Sequence, residues 1–188
     1  MAQDTLIYID GKTKIGTVHF TDGADELMFF KSNEDQSKDS PKTINVDDVF
    51  AVKYASGQTK VFYKFDEQNA NLLRYNEMDK YVLGERYAWK HFHGRTSFVF
   101  GTAMGIAGPL ILDFYGLATI PVAFFLVNAF PVKEPKFMND ANVKLDFLQD
   151  EYFKEGYKEI AKRKRQRNAL WGGIVGAGSV FLYTYLIR

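Results

Sequence analysis

The chain has 188 residues, of which 46% are apolar and 25% are charged. This length allows one ordinary domain, or a small domain with an appended segment, and excludes a large multidomain enzyme. Cysteine is absent, which excludes disulfide scaffolds, cysteine-ligated metal centres and thiol nucleophiles. The charge is uneven: residues 1–80 have 14 acidic and 10 basic side chains, whereas residues 81–188 have 9 and 14.

Residues 1–75 predict a small β domain. Short runs of β-branched and aromatic residues alternate with glycine-containing turns such as Asp10-Gly11, Asp22-Gly23 and Ser56-Gly57. The predicted strands are 5–9, 15–20, 26–31, 42–46, 49–54 and 59–64. Five or six short strands in this length indicate an SH3-like or Sm-like barrel or sheet. The polar segment 32–41 is predicted to be a solvated loop.

A helical membrane region is predicted to follow, in an α+β fold. Residues 77–92 have the apolar spacing of an amphipathic helix, which we expect to lie along the membrane surface. The next block, 96–132, has 37 residues and one charged side chain, Asp113. A single helix of this length would reach roughly 55 Å, nearly twice the ~30 Å hydrocarbon core. A helical hairpin that breaks at 113–116 fits better than one tilted span.

Asp113 admits two interpretations. A carboxylate at the bilayer centre costs about 2.5–3.5 kcal/mol, so an intramembrane acid requires a compensating role. At the tip of a hairpin Asp113 would reach water. Within a span it would instead indicate a proton or ion relay, and hence a small transporter or channel component.

The last third of the chain predicts a charged helix that continues into an apolar one. Residues 152–167 become strongly basic just before the uncharged run 169–187. The basic residues are Lys162, Arg163, Lys164, Arg165 and Arg167. Beside an apolar span they favour lipid headgroups over nucleic acid, and the positive-inside rule places them on the cytoplasmic side of an inner membrane. The predicted division is therefore 1–75, 76–132 and 133–188.

Small residues recur in both apolar segments. The glycines with helix-packing spacing are Gly101, Gly105, Gly108, Gly172 and Gly176. Such spacing lets helix backbones approach closely, either within one chain or in self-association and docking onto a partner. A Tyr/Gly/Ala helix precedes each glycine-rich segment, which indicates an internal repeat, although small residues recur in any packed membrane helix.

No catalytic or cofactor motif is present in the sequence. Nucleophile elbows, phosphate-binding loops, HExxH helices and EF-hand loops are all missing. His91 and His93 point about 200° apart on a helix, so they do not predict a metal site. We therefore expect a non-enzymatic protein without cofactor or metal, whose partners are the lipid bilayer and other proteins.

The N-terminal pattern resembles a recurrent domain of uncharacterised envelope proteins of Bacteroidota. The pattern comprises Asp4-Thr5-Leu6-Ile7, Asp10-Gly11, Gly16-Thr17-Val18 and 46–57, and Gly156-Tyr157 with Ala161-Lys162 extends it into the second half. The resemblance implies a small β domain with C-terminal glycine-rich membrane helices, and it implies no activity.

The first residues bear on location. Relatives of this kind start with a cleaved signal peptide, and Ala2-Gln3-Asp4 is typical of a cleavage site followed by a mature terminus. The β domain would then face the periplasm. A native start at Met1 would leave it in the cytoplasm.

Three functions remain open from the sequence. The first is a bacterial cell-envelope membrane protein that acts as a scaffold or accessory subunit of a larger assembly. The second is a transporter, channel or ion-relay component that uses Asp113. The third is a soluble ligand carrier or enzyme, in which the apolar blocks form a buried helical core.

Overall fold

The computed structural model describes residues 3–21, 23–31, 41–66, 72–135, 143 and 145–187. The chain divides into two compact units. The sheet unit comprises residues 1–86 and 140–156, and the helical unit comprises residues 87–139 and 157–188. Both boundaries fall within long helices, α1 (Tyr75–His91) and α4 (Glu151–Ile187). Nearly all of the predicted solvated loop at 32–41 lies outside the described residues.

The sheet unit contains six antiparallel strands, which confirms the α+β class. The strands are β1 (Asp4–Tyr8), β2 (Thr13–Phe20), β3 (Glu26–Lys31), β4 (Lys42–Asn45), β5 (Val49–Lys53) and β6 (Thr59–Val61). Each lies where the residue pattern predicts it, although β6 is shorter than expected. Gly11 and Gly57 have positive φ angles in the turns after β1 and β5, as the Asp-Gly and Ser-Gly pairs predict.

The prediction of a closed barrel is wrong, because the sheet is open. Its strand order is β4-β3-β2-β1-β5-β6, so β4 and β6 are its edges and, among the described residues, no ladder joins them. Both edge strands are short, at four and three residues. Edges of that length offer few backbone groups with which to close a barrel.

The two faces of the sheet have separate apolar cores. One face buries a cluster that includes Leu6, Leu27 and Val52. The other face packs Ile7 and Phe50, with Ala51, against Met78 and Val82 of α1. This second core explains why β5 is buried at four of its five positions instead of alternating.

Paired contacts tie α1 to the start of α4 within the sheet unit. Glu77 accepts a hydrogen bond from the backbone N–H of Arg74 at 2.8 Å, which is a capping-box contact, and another from the Tyr152 hydroxyl at 3.1 Å. A Cβ added at Gly84 would overlap the carbonyl oxygen of Phe153, and one added at Gly156 would overlap that of Tyr81. The two backbones therefore touch at both glycines.

Asp150 caps the N-terminus of α4. Its Oδ1 accepts hydrogen bonds from the N–H groups of Tyr152 at 3.1 Å and Phe153 at 3.3 Å, while Oδ2 accepts one from Lys80 Nζ at 2.6 Å. Partial burial alone would raise the pKa of Asp150, but the hydrogen bonds and the charge of Lys80 together lower it below its usual value. The cap therefore favours the carboxylate form in the folded state.

Replacing Asp150 with alanine is expected to lower the stability of the protein by about 1 kcal/mol, the usual loss for a helix N-cap. Because folding lowers the pKa of Asp150, its contribution is complete above the unfolded pKa of about 3.9 and is lost as the pH falls through the lower folded value. Denaturant unfolding at pH 7 and pH 3 would measure this difference. Asp146→Ala, at an exposed acid nearby, is the control; an equal loss in both variants would contradict the capping role.

Candidate membrane-anchoring site

The helical unit contains α2 (Arg95–Leu112), a 3₁₀ segment (Asp113–Ala118), α3 (Thr119–Ala129) and the second part of α4. The break in the long apolar block falls at Asp113, as predicted. Thr119, the first residue of α3, donates a hydrogen bond through its hydroxyl to the carbonyl of Met104 at 2.9 Å. A Cβ at Gly116 would overlap the backbone of Gly108. The 3₁₀ segment therefore folds back along α2, and α2 and α3 form a hairpin.

Both ends of this hairpin reach the same stretch of α4. Where the chain enters, Asn168 Nδ2 donates to the carbonyl oxygens of His93 at 2.7 Å and Gly94 at 3.2 Å. Where the chain leaves, Arg165 Nη1 donates to the carbonyl of Phe130 at 2.9 Å and, at the longer distance of 3.4 Å, to that of Pro131. Arg165 and Asn168 are three positions apart, a rise of about 4.5 Å along a helix. The two ends of the hairpin thus lie at nearly the same level along the axis of α4.

Close glycine contacts hold α2 against α4. A Cβ at Gly101 would overlap the carbonyl of Ala169, and one at Gly172 would overlap that of Phe98. One turn further along, Gly105 meets Gly173 in the same way. Gly176 in turn meets Thr102. The paired glycines that the sequence singled out therefore lie within one helix pair of this chain, and Gly108 lies against the 3₁₀ segment.

These contacts show that α2 and α4 run in the same direction. Gly101 and Gly105 meet residues 169 and 173, so contacts advance along both helices together. Gly172 and Gly176 lie 71 positions after Gly101 and Gly105. The contacts follow the same offset, because Gly101 meets residue 169 whereas Gly172 meets residue 98, which is 71 positions earlier. The internal repeat indicated by the sequence thus corresponds to two similar helices that pack against each other through equivalent positions.

α3 completes a three-helix contact around Gly173. A Cβ at Gly173 would come within 2.9 Å of the Ile120 side chain, as well as adjoining α2 at Gly105. Ala123 and Val127 are buried on the same helix. Val122, Phe125 and Leu126 on the same helix are exposed. One face of α3 therefore packs on α2 and α4, and the other face points outward.

Lys164 is buried, unlike the other cations of the basic run. Its Nζ donates to three carbonyl oxygens at the end of α1: those of Ala88 at 3.2 Å, Trp89 at 2.6 Å and Phe92 at 2.8 Å. The carbonyls of Ala88 and Trp89 belong to the last turn of α1 and Phe92 directly follows it, so the ammonium also interacts favourably with the helix dipole. The structure therefore places Lys164 in a capping position at the end of α1.

The remaining basic residues have different surroundings. Lys162 and Arg167 are exposed, and Arg167 lies 5.9 Å from the ring centroid of Trp89. Arg163 is exposed and pairs with Glu159 at 3.1 Å. Arg165 is partly buried by its contacts with the end of the hairpin. Lys162, Arg163 and Arg167 are thus the members of the predicted set whose side chains remain exposed.

Asp113 lies at the tip of the hairpin. It is exposed, it follows the last turn of α2, and its φ of 50° marks the point where the helix stops. The flanking Phe114 and Tyr115 are also exposed. This position corresponds to the tip interpretation of Asp113, since a relay residue within a span would face neighbouring helices.

Sequence reasoning missed Lys164, Asn168 and Thr119 as structural contacts. All three donate side-chain hydrogen bonds to carbonyls at helix ends or in neighbouring helices. A polar side chain beside an apolar segment is the signal that could have indicated them. The partner carbonyls, however, lie 15 to 76 positions away in the sequence, and no local pattern predicts them.

Two helical segments, Arg95–Ala129 and Glu151–Leu186, are long and apolar enough to cross a membrane. Within the described ranges, no group of three or more His, Asp or Glu side chains is placed to hold a metal ion. No protein-family model, curated protein or solved structure matches this chain.

Proposed function

We propose that this protein is a non-enzymatic membrane protein of the bacterial cell envelope. In this proposal the helical unit is the anchor. The sheet unit serves as a scaffold or accessory subunit in a larger membrane assembly. The resemblance to envelope proteins of Bacteroidota supports the compartment, and the layout of an open sheet joined to apolar helices supports the architecture.

One observation carries the membrane anchoring: the apolar helices are mostly unburied. In the most apolar windows of Arg95–Ala129 and Glu151–Leu186, 17% and 33% of the residues are buried. The core helix of a soluble protein would be mostly buried, because exposed apolar area costs roughly 25 cal/mol per Å² in water. A lipid environment removes this cost, so the soluble-carrier alternative is disfavoured.

Exposed apolar side chains recur along the whole length of the apolar helices. Large exposed residues occur on all three helices of the unit, among them Val99, Leu110, Val122, Phe125, Ile174 and Leu182. Soluble monomers rarely expose contiguous apolar patches above a few hundred Å². Such a surface fits lipid chains, whose contact requires no hydrogen bonds.

The sheet unit supplies the features expected of a partner-binding module. A cleft of about 200 Å³ lies beside β5 and β6, and its lining includes Lys53, Val61, Tyr75, Asp79 and Arg86. The adjoining strand β6 is an edge of the sheet, but its three residues leave few backbone groups for an added strand, so the cleft is the main candidate contact. This part of the proposal is tested by purifying the protein from membranes in mild detergent. A lone, monodisperse 21.5-kDa monomer would contradict a subunit role.

Membrane anchoring predicts a marked difference between two isoleucine-to-lysine variants. Ile106, near the middle of α2, is 37% exposed, and Ile15, on β2, is 58% exposed. In Ile106→Lys a charge would enter the middle of the lipid-facing surface at a cost of up to about 2.5–3.5 kcal/mol, so the fraction resisting carbonate extraction should fall severalfold. Ile15→Lys should remain membrane-bound like the unmodified protein. Release of the unmodified protein by carbonate would refute the anchor.

A further inference from the structure

The helical unit is polarised, with its exposed cations at one end. Arg95, Lys162, Arg163 and Arg167 all lie near the level where the hairpin enters and leaves, since Asn168 binds the residue preceding Arg95 and Arg165 binds Phe130. The opposite end presents Asp113 and exposed tyrosines, and its described residues include no cation. A bilayer with an anionic leaflet is complementary to this arrangement.

The dimensions of the hairpin match a return to the same side. α2 has 18 residues and rises about 27 Å, close to the ~30 Å hydrocarbon core. α3 has 11 residues and rises about 16 Å. α3 is nevertheless long enough to return to the level of Arg95. The 3₁₀ segment has already brought Thr119 back to the level of Met104, which is only about 14 Å above Arg95. At the end of α3 the carbonyl of Phe130 accepts the hydrogen bond from Arg165, at the level where the hairpin began.

We propose that the helical unit inserts as a returning hairpin plus one crossing helix, with the exposed cations Arg95, Lys162, Arg163 and Arg167 against an anionic leaflet. This inference rests on the proposed membrane anchoring. The chain before Arg95 and the chain that joins α3 to α4 then stay on the side of that leaflet. The hairpin tip and the end of α4 reach the other side. If the anionic leaflet is the cytoplasmic one, the residues that precede α1 are cytoplasmic, and a periplasmic location for them is excluded.

The absence of cysteine from the sequence makes a labelling test direct. Single cysteines would replace Gln58 in the turn after β5, Lys162 in the basic run, Ile174 within the apolar part of α4, and Tyr185 near its end. The full-length variants would be inserted into phosphatidylcholine vesicles in which phosphatidylglycerol is either absent or confined to the outer leaflet. An impermeant maleimide would then be applied before and after the vesicles are opened.

Before the vesicles are opened, we expect the same fraction of molecules to be labelled at positions 58 and 162. The fraction labelled at position 185 should be the remainder, because that position lies on the opposite side. If position 58 instead matches position 185, the block 96–132 crosses once and the hairpin topology is overturned. Phosphatidylglycerol confined to the outer leaflet should increase the fraction with position 58 outside at least threefold, and this variant retains all of the cations. An unchanged fraction would overturn the role of the anionic leaflet.

The cysteine at position 174 separates this inference from the proposed function. It should label at least tenfold more slowly in vesicles than in the denatured protein, because lipid covers it. If it labels as quickly in vesicles, the protein is not inserted and membrane anchoring itself fails. If it is protected while positions 58 and 162 differ, anchoring stands and the topology alone is wrong. Tyr115→Cys at the hairpin tip provides a second probe of the far side.

Discussion

Replacing Gly176 with alanine is expected to destabilise the helical unit by about 1–3 kcal/mol, the usual cost of forcing an extra group into a packed contact. The new Cβ would overlap the carbonyl of Thr102 and would come within 3.1 Å of the backbone N of Ile106. Backbone atoms cannot rotate away as the end of a side chain can. The two helices would therefore have to separate along their line of contact, and Gly101→Ala and Gly172→Ala should act in the same direction.

Gly178 provides a matched control two positions along the same helix. A Cβ at Gly178 meets nothing within 4 Å. Because alanine is favoured over glycine in a helix interior, Gly178→Ala should leave stability unchanged or raise it by up to about 1 kcal/mol. Titration of the detergent-solubilised protein with SDS, followed by the fluorescence of Trp89 and Trp171, both of which lie in the helical unit, would measure both variants. Equal effects at Gly176 and Gly178 would contradict the packing role.

Replacing Lys164 with methionine is expected to lower the stability of the helical unit by about 1.5–3 kcal/mol, the range for hydrogen bonds to a charged group. Methionine keeps the unbranched apolar stem of lysine but removes the donor that three carbonyls at the end of α1 share. Those carbonyls would lose their charged partner, and the favourable interaction with the helix end would be lost as well.

Lys162→Met is the control for this second prediction. Lys162 is exposed on the same helix, so its replacement should change stability by no more than about 0.5 kcal/mol in a neutral detergent. Lys164→Arg should recover part of the loss, since a guanidinium keeps the charge but fits the three-carbonyl site less well. A Lys164→Met protein as stable as Lys162→Met would show that the buried ammonium contributes nothing to the fold.

Strand positions followed from the sequence because their signals are local. Period-two runs of β-branched residues between glycine turns place strands wherever they occur, and the turns after β1 and β5 need positive φ at Gly11 and Gly57. The break at Asp113 was predictable for a similar reason: one charged residue interrupts 37 otherwise uncharged ones.

The closure of the sheet could not be predicted in the same way. Whether β4 meets β6 depends on the curl of the whole sheet and on what covers its faces. Here α1 covers one face through Met78 and Val82. The sequence of the edge strands is compatible with either outcome, and the open form follows from packing between elements that are distant in the chain.

By itself, the sequence determined which segments are strands and helices, where the apolar block breaks and which glycines permit close approach, because propensity and periodicity act over a few residues. The tertiary structure alone decided which helices those glycines bring together. It also decided that Lys164 is withdrawn from the basic run to cap α1, while Lys162 and Arg167 remain exposed. Five neighbouring cations are nearly equivalent as a sequence pattern. They become different only when the helix turns one of them toward carbonyls more than 70 positions away, which removes its ammonium from solvent and leaves the others in it.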